Sequence, residues 1–144
     1  MSMSTSIPAI LNNPPNPQTR EDIIDALNRA ILGLDTADSR LFDSALFPES
    51  TVDLHGNVMN GLPNIYKDCY ENISKMDTTH ILSNIRVSMV EGDENKAKVT
   101  ASALAQHYRP GEGNVHAGDG LWKLRNWVVK LTWTEGDWGV FKGE

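Results

Sequence analysis

The chain has 144 residues, 40% of them hydrophobic and 22% charged, with a net charge of −6. That fits one soluble domain able to bury most of the surface its unfolded chain would expose. The acidic balance lacks the basic footprint of a nucleic-acid site, gives no attraction to an anionic membrane, and no apolar run approaches the roughly 20 residues of a membrane span.

Cys69 is the only cysteine, so no intrachain disulfide forms, and no basic n-region with an apolar core marks a signal peptide. The chain reads as cytoplasmic. Residues 1–18, ending in "NNPPNPQ", have the Ser, Asn and Pro content of a flexible N-terminal arm, and the single domain is placed at 19–144.

Thr19 followed by Asp22 resembles a capping box and predicts a first helix whose apolar stripe is Ile23, Leu27, Ile31 and Leu34. Gly33 weakens its end, and "DTAD" offers turn and cap chemistry for a second helix over 38–47, closed by Pro48. "TVDLHG" reads as a short strand. Gly61-Leu62-Pro63 then opens a third helix, with Ile65, Tyr66, Cys69, Tyr70 and Ile73 on one stripe.

From residue 79 the texture changes to strands. "THILSNIRVSMVEG", "KAKVTASALAQHYRP", "LWKLRNWVVKLTWTEG" and "DWGVFK" are separated by turns rich in Gly and Asp. Three helices followed by an antiparallel meander predict an α+β domain, a curved sheet with its helices on one face.

Alternation puts Ala97, Val99, Ala101, Ala103, Ala105 and His107 on one face of the second strand. A face of alanines either lets the helices pack close or leaves a pocket. On the third strand, Trp122, Leu124, Asn126 and Val128 share one face and Trp127, Val129, Leu131 and Trp133 the other. Both are apolar, so one is expected to meet the helices and the tryptophan-bearing one another subunit.

Taken together, the three helices, "LDTADSRLFDSALFPESTVDLHG", "TTHILSNIRV" and the meander ending in "TEGDWGVFK" resemble the SnoaL-like branch of the nuclear-transport-factor-2-like superfamily over roughly residues 20–142. In pattern they are similar to the scytalone dehydratase-like enzymes within it. The resemblance implies a cone-like curved antiparallel sheet that encloses a pocket with the three helices. It also implies a catalytic set of Asp35, His80 and His107, with Asn126 on the following strand holding substrate. Two tyrosines of that pattern correspond here to Leu34 and Leu54, so Tyr66 or Tyr70 is a candidate to supply a hydroxyl. Leu54 and Trp122 are expected to line the site.

Each of these residues also has a plainer use. Asp35 could cap the helix beginning near Asp38, His80 could satisfy a main-chain carbonyl, and Asn126 could bond a neighbouring strand. Histidine nevertheless suits proton transfer at neutral pH, and a carboxylate partner would fix its tautomer. His55 and His116 fall in turn-like settings. No HExxH, Cys-pair or His-x-His spacing signals a metal site, and "PGEGNVHAGDG" lacks the Lys-Ser/Thr ending of a phosphate loop.

The resulting expectation is a cofactor-independent dehydratase or isomerase acting on a small hydrophobic oxygenated ring, polyketide- or terpenoid-like. A polyketide cyclase would use the same enolate chemistry, and a non-catalytic module would only bind such a ligand. A homo-oligomer, dimer or trimer, formed through the outer sheet face is expected, with no nucleic-acid or membrane partner.

Overall fold

Asn16, and not Thr19, starts the first helix. The computed structural model describes residues 7–54, 56–113 and, for the backbone, 127–132. In it α1 spans Pro17–Asp35, and the Asn16 side chain accepts from the Thr19 main-chain N–H at 2.8 Å. Pro17 follows at the first helical position, where its fixed φ suits the helix and its missing N–H costs nothing. Asp22, expected to complete a capping box, accepts from the Gln18 amide at 2.7 Å.

Gly33 does not end the helix; it lets α1 touch α2 (Ser39–Asp43). A methyl group there would stand 2.6 Å from the Phe42 main-chain nitrogen. Asp38 caps α2, accepting from Leu41 N–H at 3.0 Å. The helix stops at Asp43, short of the expected 47, because Ser44 turns back: its hydroxyl donates to the Leu41 carbonyl at 2.7 Å. Arg29 then holds the Ser44 carbonyl at 2.8 Å.

The strand expected at "TVDLHG" is the first arm of a hairpin, β1 (Thr51–Leu54) paired with β2 (Asn57–Asn60). Gly56 takes the left-handed φ of 88° that this turn needs, and Asp53 accepts its N–H at 2.8 Å. The third helical stretch comes in three parts, α3 (Leu62–Ile65), a wide π turn at Tyr66–Tyr70 and α4 (Glu71–Ile73). Its apolar stripe joins Leu34, Phe42, Leu46 and Met59 in a hydrophobic cluster, with Leu54 packed half-buried against it.

The main sheet orders β3 (Asp77–Val90), β4 (Asp93–Tyr108) and β5 (Trp127–Thr132), all antiparallel. Ala97, Val99 and Ala101 pack with Val87 and Met89 against Ile23 and Leu27 of α1, so close helix packing accounts for that end of the alanine face. Ala103 and Ala105 are also buried, beyond that cluster. β5 sets Trp127 against Ala105, Val129 against Ala103 and Leu131 against Ala101. The row expected to meet another subunit is therefore in register with the row that β4 buries. On the opposite face, Ile81 and Leu104 are paired and remain 54% and 41% exposed.

A bulge decides the parity of β3. Ser83 pairs with Ser102 but Arg86 with Thr100, so Asn84 and Ile85 together oppose Ala101. Asn84 adopts φ 52°, a left-handed conformation that asparagine tolerates better than most residues. Before the bulge the even residues Thr78, His80 and Leu82 pair with the buried face of β4; after it the odd residues Val87 and Met89 do.

The arm is fastened along edge strand β3 over Pro8–Asn12. Arg86 donates to the carbonyls of Pro8 at 3.0 Å and Ala9 at 2.8 Å, and Met89 N–H donates to the Asn12 carbonyl at 2.7 Å. The Asn12 amide returns a bond to the Met89 carbonyl at 3.2 Å, and its main-chain N–H meets the Ser88 hydroxyl at 3.1 Å. Among the described residues no helix is long and apolar enough to cross a membrane.

Candidate active site

Asp35 is the last residue of α1, and because Asp38 caps α2 the Asp35 carboxylate is left to turn onto β3. There it meets three donors. His80 Nδ1 lies 2.5 Å from Oδ1, the Thr78 hydroxyl donates to the same oxygen at 2.8 Å, and the His80 main-chain N–H donates to Oδ2 at 2.9 Å. The Asp35 and His80 side chains are only 12% and 11% exposed, so a carboxylate without these bonds would be costly to hold.

Burial by itself pushes the Asp35 pKa up. The bonds from the His80 ring, the His80 main chain and Thr78 outweigh it, and the carboxyl rests below its usual range. Hydrogen bonds to a charged group are worth about 1.5–3 kcal/mol each, so three of them can overcome a partial desolvation. Asp35 is therefore an ionised acceptor at neutral pH, and His80 Nδ1 is the donor.

The register Thr78↔His107 and His80↔Ala105 places the two histidines diagonally across β3 and β4. Their Nε2 atoms lie 3.3 Å apart, with ring centroids 5.2 Å apart and planes at 63°. The His107 pKa is lowered, first by burial and then by the electrostatic influence of the His80 ring beside it, with Asp35 offsetting part of it. A chain of contacts thus runs from Asp35 through His80 to His107, gathered from positions 35, 80 and 107 by a helix end and two strands. Ala105 is the register partner of His80 across the sheet.

A SnoaL-like domain family matches residues 17–142. The chain belongs to that family. It is also 47% identical over 140 residues to the terrestric acid biosynthesis cluster protein E of Penicillium crustosum, a match that takes in 85% of this chain and 88% of that protein. No solved structure matches it. The mixed helices and antiparallel sheets of this SnoaL-like chain agree with the α+β expectation.

The other expected site residues divide into two groups. Tyr66 and Tyr70 sit in an aromatic group with Phe42, centroids 4.8–5.8 Å apart. The Tyr66 hydroxyl donates to Asp43 Oδ1 at 2.5 Å and approaches the Ser39 carbonyl at 3.3 Å. Burial, and then that carboxylate, hold its pKa well above the usual phenol value. Tyr66 is engaged with α2 and not with either histidine. Leu34 and Leu54, set against tyrosines of the scytalone dehydratase-like pattern in the sequence reading, pack in the cluster around Phe42. Asn126, Trp122, His55 and His116 lie outside the described residues. Cys69 is buried and its thiol is pushed up to about 11, which leaves it protonated and unreactive.

Thr78 is the site residue that sequence reasoning passed over. The signal was present in "TTH": two residues before His80 on the same strand, Thr78 must share its face.

Proposed function

We propose that the protein is a cofactor-independent enzyme of the dehydratase or isomerase type, acting on a small, hydrophobic, oxygenated ring compound of polyketide-like chemistry. The observation that carries this reading is the contact chain Asp35–His80–His107. A proton taken from the carbon next to a substrate carbonyl ends on the histidine pair, and the positive charge it brings lies against the Asp35 carboxylate. The same pair, with that proton in hand, is in position to return it to a departing hydroxyl.

The substrate is proposed to lie on the His80 and His107 side of the sheet, near Ala103 and Ala105, whose small side chains would demand little of the space beside the imidazoles. The relative from Penicillium crustosum is named for a biosynthetic cluster, which supports a secondary-metabolite substrate. Ring closure by the same enolate would make the protein a cyclase; the acid–base residues would be unchanged.

Deuterium incorporation at the α-carbon of trial hydroxyketones tests the proposal. Wild type is expected to catalyse exchange, and His80→Ala to lose about 10²–10⁴-fold of it. Ketones that bind without exchanging in wild type, or a loss under tenfold in the variant, would mark a binding module.

A further inference from the structure

We propose that His107, and not His80, meets the substrate proton, the two histidines forming one wire whose inner, charge-holding end is His80. This rests on the acid–base function proposed above for the same site, and it assigns each ring nitrogen a task.

The argument begins at Asp35. An ionised carboxylate only accepts, so the 2.5 Å contact to Oδ1 requires the hydrogen of His80 on Nδ1. In the proton-accepting form of the wire both rings are neutral; a neutral imidazole carries one N–H, so Nε2 of His80 is then a bare lone pair. His107 Nε2 stands 3.3 Å from it. Two facing lone pairs would repel, so His107 must carry its hydrogen on Nε2 and donate inward. Its own bare nitrogen is then Nδ1, on the other side of the ring. Among the described residues no polar group bonds that atom.

In that form the lone pair of His80 is occupied, and among the described residues nothing occupies the lone pair of His107. The depressed pKa of His107 agrees with a ring that is neutral, and so able to accept, at neutral pH. A direct attack by His80 would first require breaking the contact between the two Nε2 atoms.

The step is balanced within substrate and protein. The substrate C–H bond breaks, its proton bonds to His107 Nδ1, and its electron pair stays on the substrate as the enolate. In the same movement the His107 Nε2 proton passes to His80 Nε2. His107 is neutral again and His80 is a cation against Asp35. In the return, His80 Nε2 gives its proton back to His107 Nε2 while His107 Nδ1 protonates the leaving hydroxyl. The C–O bond breaks, water departs and a carbon–carbon double bond forms. No other reactant is needed.

The test uses the full chain labelled with ¹⁵N at histidine, with two-bond ¹H–¹⁵N spectra near pH 7.5. Signals are assigned through His80→Gln and His107→Gln, or by through-bond correlation to the backbone if either variant fails to fold. The expected spectra show His80 in the Nδ1–H form and His107 in the Nε2–H form. His107 in the Nδ1–H form, or His80 in the Nε2–H form, would overturn the wire.

A second readout is ketone α-deuteration. His107→Ala is expected to lose as much as His80→Ala, about 10²–10⁴-fold. If His107→Ala stays within tenfold of wild type while His80→Ala is lost, His80 acts directly and the wire is refuted. Absence of exchange in wild type counts against the proposed function alone, and the nitrogen spectra still decide the wire.

Discussion

Two carboxylates in this molecule hold a titratable partner at the same distance and come to opposite ends. Asp35 lies 2.5 Å from a His80 ring nitrogen, and Asp43 lies 2.5 Å from the Tyr66 hydroxyl. The phenol has one exchangeable proton and its pKa is driven further up, so the Asp43 contact can hold a proton but cannot pass it on. The imidazole has a second nitrogen, and that nitrogen faces another imidazole. Proton transfer needs a partner with an entry and an exit, and a pKa within reach of neutrality. Distance alone does not distinguish the two sites.

The largest expected effect separates them by mutation. Asp35→Asn keeps the shape but offers one oxygen and one amide where three donors converge. The amide must face a donor or force the His80 ring into its other tautomer. Turnover is expected to fall by about 10²-fold or more. Tyr66→Phe is expected to leave turnover unchanged and to lower stability by about 0.5–1.5 kcal/mol in urea unfolding. A large activity loss in Tyr66→Phe would show that the phenol belongs to the site after all.

Thr78→Val sharpens the comparison by thinning the donors on Asp35 while keeping the dyad. The expected cost is about 1–2 kcal/mol of stability, with a drop in kcat of roughly tenfold and little change in KM. Thr78→Ser, which restores the donor, should recover most of the lost kcat. An equal loss in both variants would reduce Thr78 to a packing role.

The smallest effect is in pH. Asp35 and His107 both have folded pKa values below their ordinary 3.8 and 6.5, so in each case the unfolded chain binds its proton first. Their contribution is present at neutral pH and is lost on acidification. The loss begins below about pH 6.5 for His107 and below about pH 4 for Asp35, and each levels off beneath its folded value. Tyr66 has the opposite sign: its folded value lies above 10.0, so its contribution holds below that pH and is lost as pH rises through the folded value. Urea midpoints across pH should therefore slope at both ends, and Asp35→Asn should flatten the acid limb below pH 4. A limb unchanged by that variant would contradict the assignment.

Much of the fold could be read from periodicity. The face Ala97, Val99, Ala101, Ala103, Ala105 and His107 follows from alternation alone and is the face that the structure buries as far as Ala105. The helical stripe of Ile23 and Leu27 is likewise in the core. Errors gathered at the ends of elements, where short side chains compete for the same main-chain groups. Asn16 outcompeted Thr19 as a cap, and Ser44 ended α2 early. The bulge at Asn84 was legible only as a change of parity between Leu82 and Val87, which a single strand pattern hides.

The sequence by itself determined the succession of helices and then strands, the apolar stripe of α1, the alternating face of β4, and the presence of two histidines and an aspartate suited to acid–base work. Local periods encode these, because a side chain's direction depends on its own backbone. Only the tertiary structure decided which of those groups touch. Asp35 reaches His80 across 45 residues of chain, and His80 reaches His107 across 27. Those contacts depend on how α1 crosses the sheet, on the cap that frees Asp35 and on a register that one bulged residue would shift. Such non-local geometry leaves no period in the chain.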